Sequence, residues 1–411
     1  MEWHYSGAKV NIAVIFDQKL QGGGGFQQSL STSIILNKYK NERYNFIFLT
    51  TVKKNKEILG NLGIHTRYIN LSVFDKFVSY FRRNELIYKS IRTFNIFKYG
   101  KLDRYLLDLN VDLIYFLSPS GLALQIAAHK YIFTVWDLCH RDFMEFPEVY
   151  NFREFELREK LYNASLAKAI AVIVDSELTK ENIIRRYGID KHRVVSLPFL
   201  PSNTVKISEE EYEKNYIDIK HKYNIPGEYI FYPAQFWPHK NHRYILDALR
   251  ILKQKHGKII NAVFCGSDKG NLNFILEKAK EYGIGSQIFY IGYADTTEIP
   301  YLYGQSIALV MPTYFGPTNI PPLEAFALGC PICYSDLPGF RNQVKDAAFL
   351  MDIKNPESLV NVLLSVDKDR SLVNEKIKNG NQLLEKWSEN DYWNGLKNIF
   401  DEYEVKLRCW K

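Results

Sequence analysis

Short runs of β-branched and aromatic residues alternate with helix-patterned segments twice along this chain of 411 residues. A largely apolar run of four to eight residues is too short for a typical helix and is buried on both faces as a strand. That environment exists in a parallel sheet covered by helices on either side. In the first half such runs occupy 10–16, 44–51, 113–117, 131–135, 171–174 and 194–197, and an amphipathic stretch over 27–39 joins the first two in βαβ order. The sequence LPFLPSN and the acidic run 209–211 break the series near residue 200. A second series begins at 229–232, continues through 261–265, 287–291, 307–311 and 331–334, and ends in helical sequence from Pro356. The length exceeds what one core usually holds. The expectation is therefore an α/β protein of two Rossmann-like, doubly wound domains, residues 1–202 and 203–385, with a C-terminal helix in 386–411 packing back toward the first. Such sheets bind ligands beyond the C-terminal ends of their strands, so two of them facing each other predict a cleft.

Charge and cysteine usage narrow the class. Residues 1–202 hold 28 Lys and Arg against 20 Asp and Glu, an excess of eight, whereas 203–411 hold 25 against 26. No apolar run approaches the roughly 18 residues of a membrane span. The opening MEWHYSGAKVNIAVIFD lacks a basic segment before its apolar stretch, so the expected location is cytoplasmic. Five scattered cysteines read as reduced thiols, and the single CxxC at Cys330 and Cys333 lacks the second ligand pair that zinc needs. No metal site is expected.

Three stretches carry candidate chemistry. The run Gly22-Gly23-Gly24-Gly25 lies between the first strand and the first helix, where backbone amides can approach a phosphate; a simple flexible reversal is the alternative. Spacing excludes a dinucleotide fingerprint, since Gln27 stands where the third glycine belongs. In FYPAQFWPHKNHRYILDAL, a strand enters a Pro-containing turn, and Lys240 and Asn241 precede an amphipathic helix. An ammonium there can neutralise a diphosphate. In ALVMPTYFGPTNIPPLEAFALGC, a strand feeds a Gly- and Pro-rich loop, Pro321 and Pro322 suit the first turn of a helix, and Glu324 follows one turn in. The amides around Thr318, Asn319 and Ile320 point at a ligand in this reading, and Glu324 can accept two ribose hydroxyls.

These stretches resemble the retaining glycosyltransferases of family 4, which have the GT-B fold, in the right order over nearly the whole chain. The resemblance includes VDSELTKENIIRRYGID, the Lys240-Asn241 pair, CGSDKG, IGYADTTEIPYLY and PPLEAFALGCPI. It implies that Lys240 binds the donor diphosphate, Glu324 the ribose, and the amides before it the donor sugar and phosphates, with Tyr293 near the nucleobase. Three positions depart from the commonest family pattern. Gly316 stands where a sugar-binding Glu is usual, Gln235 where a diphosphate-binding Arg is usual, and Trp136 where a His precedes Asp137. FWPHKNH with FGPTNIPPLEA resembles a subgroup of bacterial surface-polysaccharide transferases acting with mannose or rhamnose, in which Thr318 and Asn319 are candidates to take over sugar contacts. In WDLCHRDF, Asp137, His140 and Arg141 are polar candidates at a strand end.

The implied reaction is metal-independent transfer from a nucleotide sugar to a glycan or polyprenyl-linked acceptor, catalysed by Lys240 with Asp137 and His140 and needing no cofactor. A sugar-nucleotide epimerase of similar fold and a catalytically silent donor-binding subunit are the alternatives. Asp367-Lys368-Asp369 matches the metal motif of another transferase architecture but follows helical sequence, which makes it a solvated turn. The segment 74–104 carries eight Lys or Arg interleaved with aromatics, which suits an anionic membrane on the inner face of the plasma membrane. No nucleic-acid recognition motif accompanies the charge.

Overall fold

A computed structural model describes residues 9–20, 24–40, 43–71, 99–316 and 318–411. The chain forms two compact units. One comprises Met1–Leu138, Glu156–Leu197 and Glu389–Lys411, and the other Cys139–Phe155 and Pro198–Ser388. The division thus falls at 197/198 rather than 202/203, and the stretch 139–155 is counted with the second unit.

The first unit is built on seven parallel strands: β1 (Val10–Phe16), β2 (Tyr44–Thr50), β3 (Thr66–Tyr68), β4 (Leu113–Phe116), β5 (Lys130–Thr134), β6 (Ala171–Val174) and β7 (Val194–Ser196), in the order β3-β2-β1-β4-β5-β6-β7. Central strands β1, β4 and β6 are almost wholly buried, as two-sided coverage demands. Helix α1 (Gly24–Lys38) follows β1, and α2 (Glu177–Tyr187) follows β6. Helix α2 begins where Ser176 Oγ accepts the Thr179 N–H at 3.2 Å and stops at Gly188, which takes the left-handed conformation. Edge strand β3 has three residues, two of them exposed, so no apolar run marked it in the sequence.

The second unit has six parallel strands: β8 (Tyr229–Pro233), β9 (Asn261–Cys265), β10 (Ile288–Tyr290), β11 (Ala308–Met311), β12 (Ile332–Ser335) and β13 (Phe349–Met351), ordered β10-β9-β8-β11-β12-β13. After β8 comes α3 (His242–His256), whose Tyr244, Ile245, Ala248, Leu249 and Leu252 are buried at helical spacing. Helix α3 ends in Lys253, Lys255 and His256, favourable beside exposed carbonyls, and at a left-handed Gly257. Between β11 and β12 lies α4 (Ile320–Ala327), and beyond β13 lies α5 (Arg370–Glu385). Asp369 caps α5 through the Leu372 N–H at 2.9 Å, and Asp367 pairs with Lys258 at 2.8 Å. The Asp-x-Asp sequence is thereby accounted for as a helix boundary.

The C-terminal helix α6 (Glu389–Leu407) belongs to the first unit. Its Tyr392 hydroxyl meets Thr32 Oγ1 of α1 at 2.9 Å, Trp393 and Phe400 pack on Tyr44 and Phe46 of β2, and buried Glu404 accepts from Arg43 at 2.6 Å. Among the described residues no helix is long and apolar enough to cross a membrane.

Helices α4 and α5 approach closely because Gly380 has no side chain. A Cβ there would stand 2.3 Å from the Phe326 ring of α4. Gly380→Val should cost about 1–3 kcal/mol by overpacking and lower the melting temperature by several degrees, as read by circular dichroism. An unchanged melting temperature would mean that α4 is not fixed by this contact.

Candidate functional site

In a doubly wound sheet the connections diverge on either side of one strand pair, and the loops leaving that pair separate to open a crevice. In the second sheet the pair is β8 and β11. The loop after β8 carries Gln235, Lys240 and Asn241, and the loop after β11 leads through Gly316, Thr318 and Asn319 to Ile320 and Glu324 on α4. Two stretches 80 residues apart in sequence thus flank one switch point.

The first loop is tightly specified. Phe236 N–H donates to Ser267 O at 3.0 Å, which lays the loop beside the one after β9. Gly266 in that neighbour has φ +150°, and a Cβ on it would fall 2.5 Å from the Ala234 carbonyl oxygen, so only glycine fits. Gln235 Oε1 accepts from Trp237 Nε1 at 3.0 Å, and the Lys269 ammonium lies 5.4 Å from the Trp237 ring. Pro238–Lys240 makes one 3-10 turn, and Asn241 then adopts φ +55°, which Asn tolerates better than most residues, to start α3. Lys240 O accepts the Tyr232 hydroxyl at 2.8 Å, which fixes the backbone from which the ammonium extends.

Neighbouring histidines shape the electrostatics. His242 is fully buried and stacks on Phe236 at 4.2 Å. Burial, and then the positive charge of Lys240, push its pKa down to about 3, so the ring is neutral. His239 donates its N–H to Glu148 Oε1 at 3.0 Å, and its Nδ1 lies 2.5 Å from the same oxygen. Burial pushes the Glu148 carboxyl up, but the hydrogen bonds from His239 outweigh it and hold the group below the usual range. The His239 ring stacks on Phe315 at 3.7 Å, and its carbonyl accepts the Tyr314 N–H at 2.9 Å.

The second loop is held by its own amide side chains. Gly316 has φ +100°, and a Cβ there would lie 3.1 Å from Asn319 Oδ1. A Glu at this position would be strained in this backbone. Asn319 Nδ2 donates to Gly316 O at 3.0 Å and to the Tyr334 hydroxyl at 2.6 Å. Gln343 brackets the Asn319 backbone, accepting its N–H at 3.1 Å and donating to its carbonyl at 2.6 Å. The Asn319 amides therefore serve the loop itself. One turn further, Glu324 is only 8% exposed, its Oε1 accepting from Ser202 Oγ at 2.6 Å and its Oε2 from the Tyr303 hydroxyl at 2.8 Å. Burial pushes its pKa up, opposed by those two bonds. Each carboxylate oxygen retains a second lone pair.

The other expected residues are distributed differently. Tyr293 follows β10 and is 62% exposed. Asp137 belongs to the first unit and pairs with Arg158 at 3.0 Å, while His140 belongs to the second and is buried, its ring 5.6 Å from Phe155. Gly24 and Gly25 open α1 in the first unit; Gly22 and Gly23 lie outside the described residues, as does 72–98 of the basic segment. A Cβ on Gly25 would stand 2.4 Å from the Trp136 ring, so the last glycine of the run permits close packing on an indole. Cys330 and Cys333 are buried, and burial raises the Cys330 thiol to about 11.

Sequence reasoning missed several groups. Asp17, at the switch point between β1 and β4, accepts from Ser118 Oγ at 3.0 Å and Ser120 Oγ at 2.5 Å, and burial raises its pKa. The Glu148–His239 contact was equally hidden, since 91 residues separate the partners.

Comparison with known proteins bears on the family and the fold. Residues 215–383 match the family profile described as glycosyl transferases group 1. The O-antigen chain mannosyltransferase B of Escherichia coli is 24% identical over 229 residues, covering 54% of this chain and 58% of that protein. The chain spans little more than half the length of that relative and of the Salmonella typhimurium O-antigen chain mannosyltransferase RfbU, of which it covers 54%, and about a quarter of the Escherichia coli serotype-specific mannosyltransferase WbdA. Among solved structures, a glycosyltransferase from Rickettsia africae has a TM-score of 0.69 at 16% identity, over 97% of this chain and 99% of that one. Anabaena HepE, crystallised with UDP-glucose, has a TM-score of 0.70 at 15% identity, over 96% and 99%. Residues 215–383, which carry Lys240 and Glu324, form a glycosyl transferases group 1 domain, and the two doubly wound α/β units give the chain the GT-B fold.

Proposed function

We propose that the chain is a retaining, metal-independent hexosyltransferase that moves mannose or rhamnose from a nucleotide sugar to a glycan or polyprenyl-linked glycan in surface-polysaccharide synthesis. The observation that carries this reading is the pairing of the Lys240 turn with the Glu324 helix on either side of the β8/β11 switch point. Diphosphate charge is met by the Lys240 ammonium and by the N-terminal end of α4. The free lone pairs of Glu324 accept the two ribose hydroxyls, while Ser202 and Tyr303 hold the carboxylate in place. The relatives that are mannosyltransferases support the sugar, and the neighbour holding UDP-glucose supports a nucleotide-sugar donor.

Retention follows if the acceptor hydroxyl attacks the face that the diphosphate leaves. The new glycosidic bond forms as the anomeric carbon–oxygen bond breaks, and the departing diphosphate oxygen takes the acceptor proton. No protein nucleophile is required. Lys240 and the N-terminal end of α4 stabilise the charge that builds on the leaving group, so catalysis is chiefly positioning and electrostatics. Mass spectrometry after incubation with a panel of nucleotide sugars and lipid-linked acceptors tests the activity directly. Donor binding without transfer would point to a silent subunit, and donor conversion without acceptor to an epimerase.

Three further outcomes are expected. Because cationic side chains and amides take the place of a divalent ion, turnover should persist in excess EDTA; loss of activity restored by manganese or magnesium would refute the metal-free mechanism. Glu324→Gln should weaken nucleoside diphosphate binding by about 1–2 kcal/mol and Glu324→Ala by about 2–3, measured by calorimetry, with no shift in the pH profile at saturating donor. Unchanged affinity in a folded Glu324→Ala protein would remove the ribose assignment. Finally, the basic aromatic segment 74–104 should bring the protein to anionic vesicles, each cation near the surface contributing about 1 kcal/mol. Reversing Arg82, Arg83 and Lys89 to Glu should reduce flotation with phosphatidylserine vesicles while leaving donor hydrolysis intact, and equal flotation would refute membrane attachment through this segment.

A further inference from the structure

We infer that Glu148 is a positioning residue that presets the diphosphate-binding turn by clamping His239, the residue before Lys240. The inference rests on the assignment of Lys240 to the donor diphosphate. Glu148 lies in Pro147–Tyr150, a short helix within 139–155, the stretch counted with the second unit. One of its oxygens, Oε1, faces both the backbone N–H and the Nδ1 of His239, at 3.0 and 2.5 Å. The His239 carbonyl takes the Tyr314 N–H from the loop after β11, and Phe315 of that loop stacks on the imidazole. His239 is therefore the joint between the two loops that flank the switch point. Phe143 and Phe146 of the same stretch pack on Phe315 and Tyr314, each with ring centroids less than 6 Å apart.

Packing alone does not account for a carboxylate here. The Glu148 side chain is 6% exposed, and its Oε2 is buried with no hydrogen-bond partner among the described residues. A buried anion with one oxygen unmatched lowers stability, and an apolar side chain would fill the same space without that cost. What an apolar side chain cannot do is accept two donors from one residue. That grip of two donors by one oxygen fixes both the backbone and the ring of His239, and so the direction in which Lys240 leaves a 3-10 turn only three residues long. A turn already ordered before the ligand arrives loses less freedom on binding. The carboxylate thus trades stability for preorganisation of the adjacent ammonium.

Calorimetric titration of the intact chain with UDP and with GDP tests this in the parent, Glu148→Ala, Glu148→Gln and Lys240→Ala, in the Glu148→Ala/Lys240→Ala pair and in its Glu148→Gln/Lys240→Ala counterpart, each checked for folding by thermal melts. Glu148→Ala should weaken the better-bound nucleotide about tenfold. Lys240→Ala should weaken it at least as much, and the double variant should lie within about twofold of Lys240→Ala, because the clamp has nothing left to position. Losses that multiply, or full affinity in folded Glu148→Ala, overturn the positioning role while leaving Lys240 in its own. Unchanged affinity in Lys240→Ala overturns the diphosphate assignment and this inference with it. If Glu148→Ala does not fold, Glu148→Gln decides, since its Oε1 still accepts the His239 amide but, uncharged, holds the imidazole Nδ1 more weakly: a loss of about threefold that disappears in the Lys240→Ala background supports the clamp, and full affinity overturns it.

Discussion

A parallel strand covered by helices on both faces has no solvent-facing side on which to carry polar chemistry. Its functional groups are displaced to the loop beyond its C-terminal end, and the order of the strands decides which loops become neighbours. In the second sheet β8 and β11 sit side by side although 75 residues separate the end of one from the start of the other. That adjacency makes a single site of the Lys240 turn and the Glu324 helix. The same rule acts in the first sheet, where β1 and β4 are adjacent and Asp17 meets Ser118 and Ser120.

Once two loops are forced together, neighbouring residues satisfy part of their backbone groups. Asn319, Tyr334 and Gln343 close one loop around Gly316, and Glu148 with Phe315 closes the other around His239. The departures from the commonest pattern of the resembling family acquire physical content in this setting. Gly316 answers to a φ of +100°, Gln235 supports Trp237, and Trp136 fills the space that Gly25 leaves. Each is tied to local packing.

Buried polar groups at the strand ends mark where stability yields to chemistry. Glu324 is satisfied on both oxygens, Glu148 on one, and His242 is kept neutral beside a cation. Such groups contribute less to stability than apolar side chains of equal size would. The core around them is ordinary by contrast: β8, β9, β11 and β12 supply aliphatic and aromatic residues of nearly zero exposure.

Much of the architecture was legible in the sequence, because a run such as Ala171–Val174 or Ala308–Met311 has one low-energy destination. Lys240 and Glu324 were legible too, since Pro238, Pro321 and Pro322 announce the turns and helix starts that present them. Edge strand β3 was not, since two of its three residues are exposed and leave no apolar run; β13 was also missed, although it lies in the apolar stretch 347–351. The sequence by itself determined two doubly wound sheets and the loops on which chemistry could reside. Tertiary structure alone decided that residues 139–155 pack with the second unit, that Glu148 grips His239, and that Glu324 is shared with Ser202 and Tyr303. The reason is separation along the chain: periodicity and capping act within a few residues, whereas these contacts join positions 21 to 122 residues apart, and only the folded chain brings them within hydrogen-bonding distance.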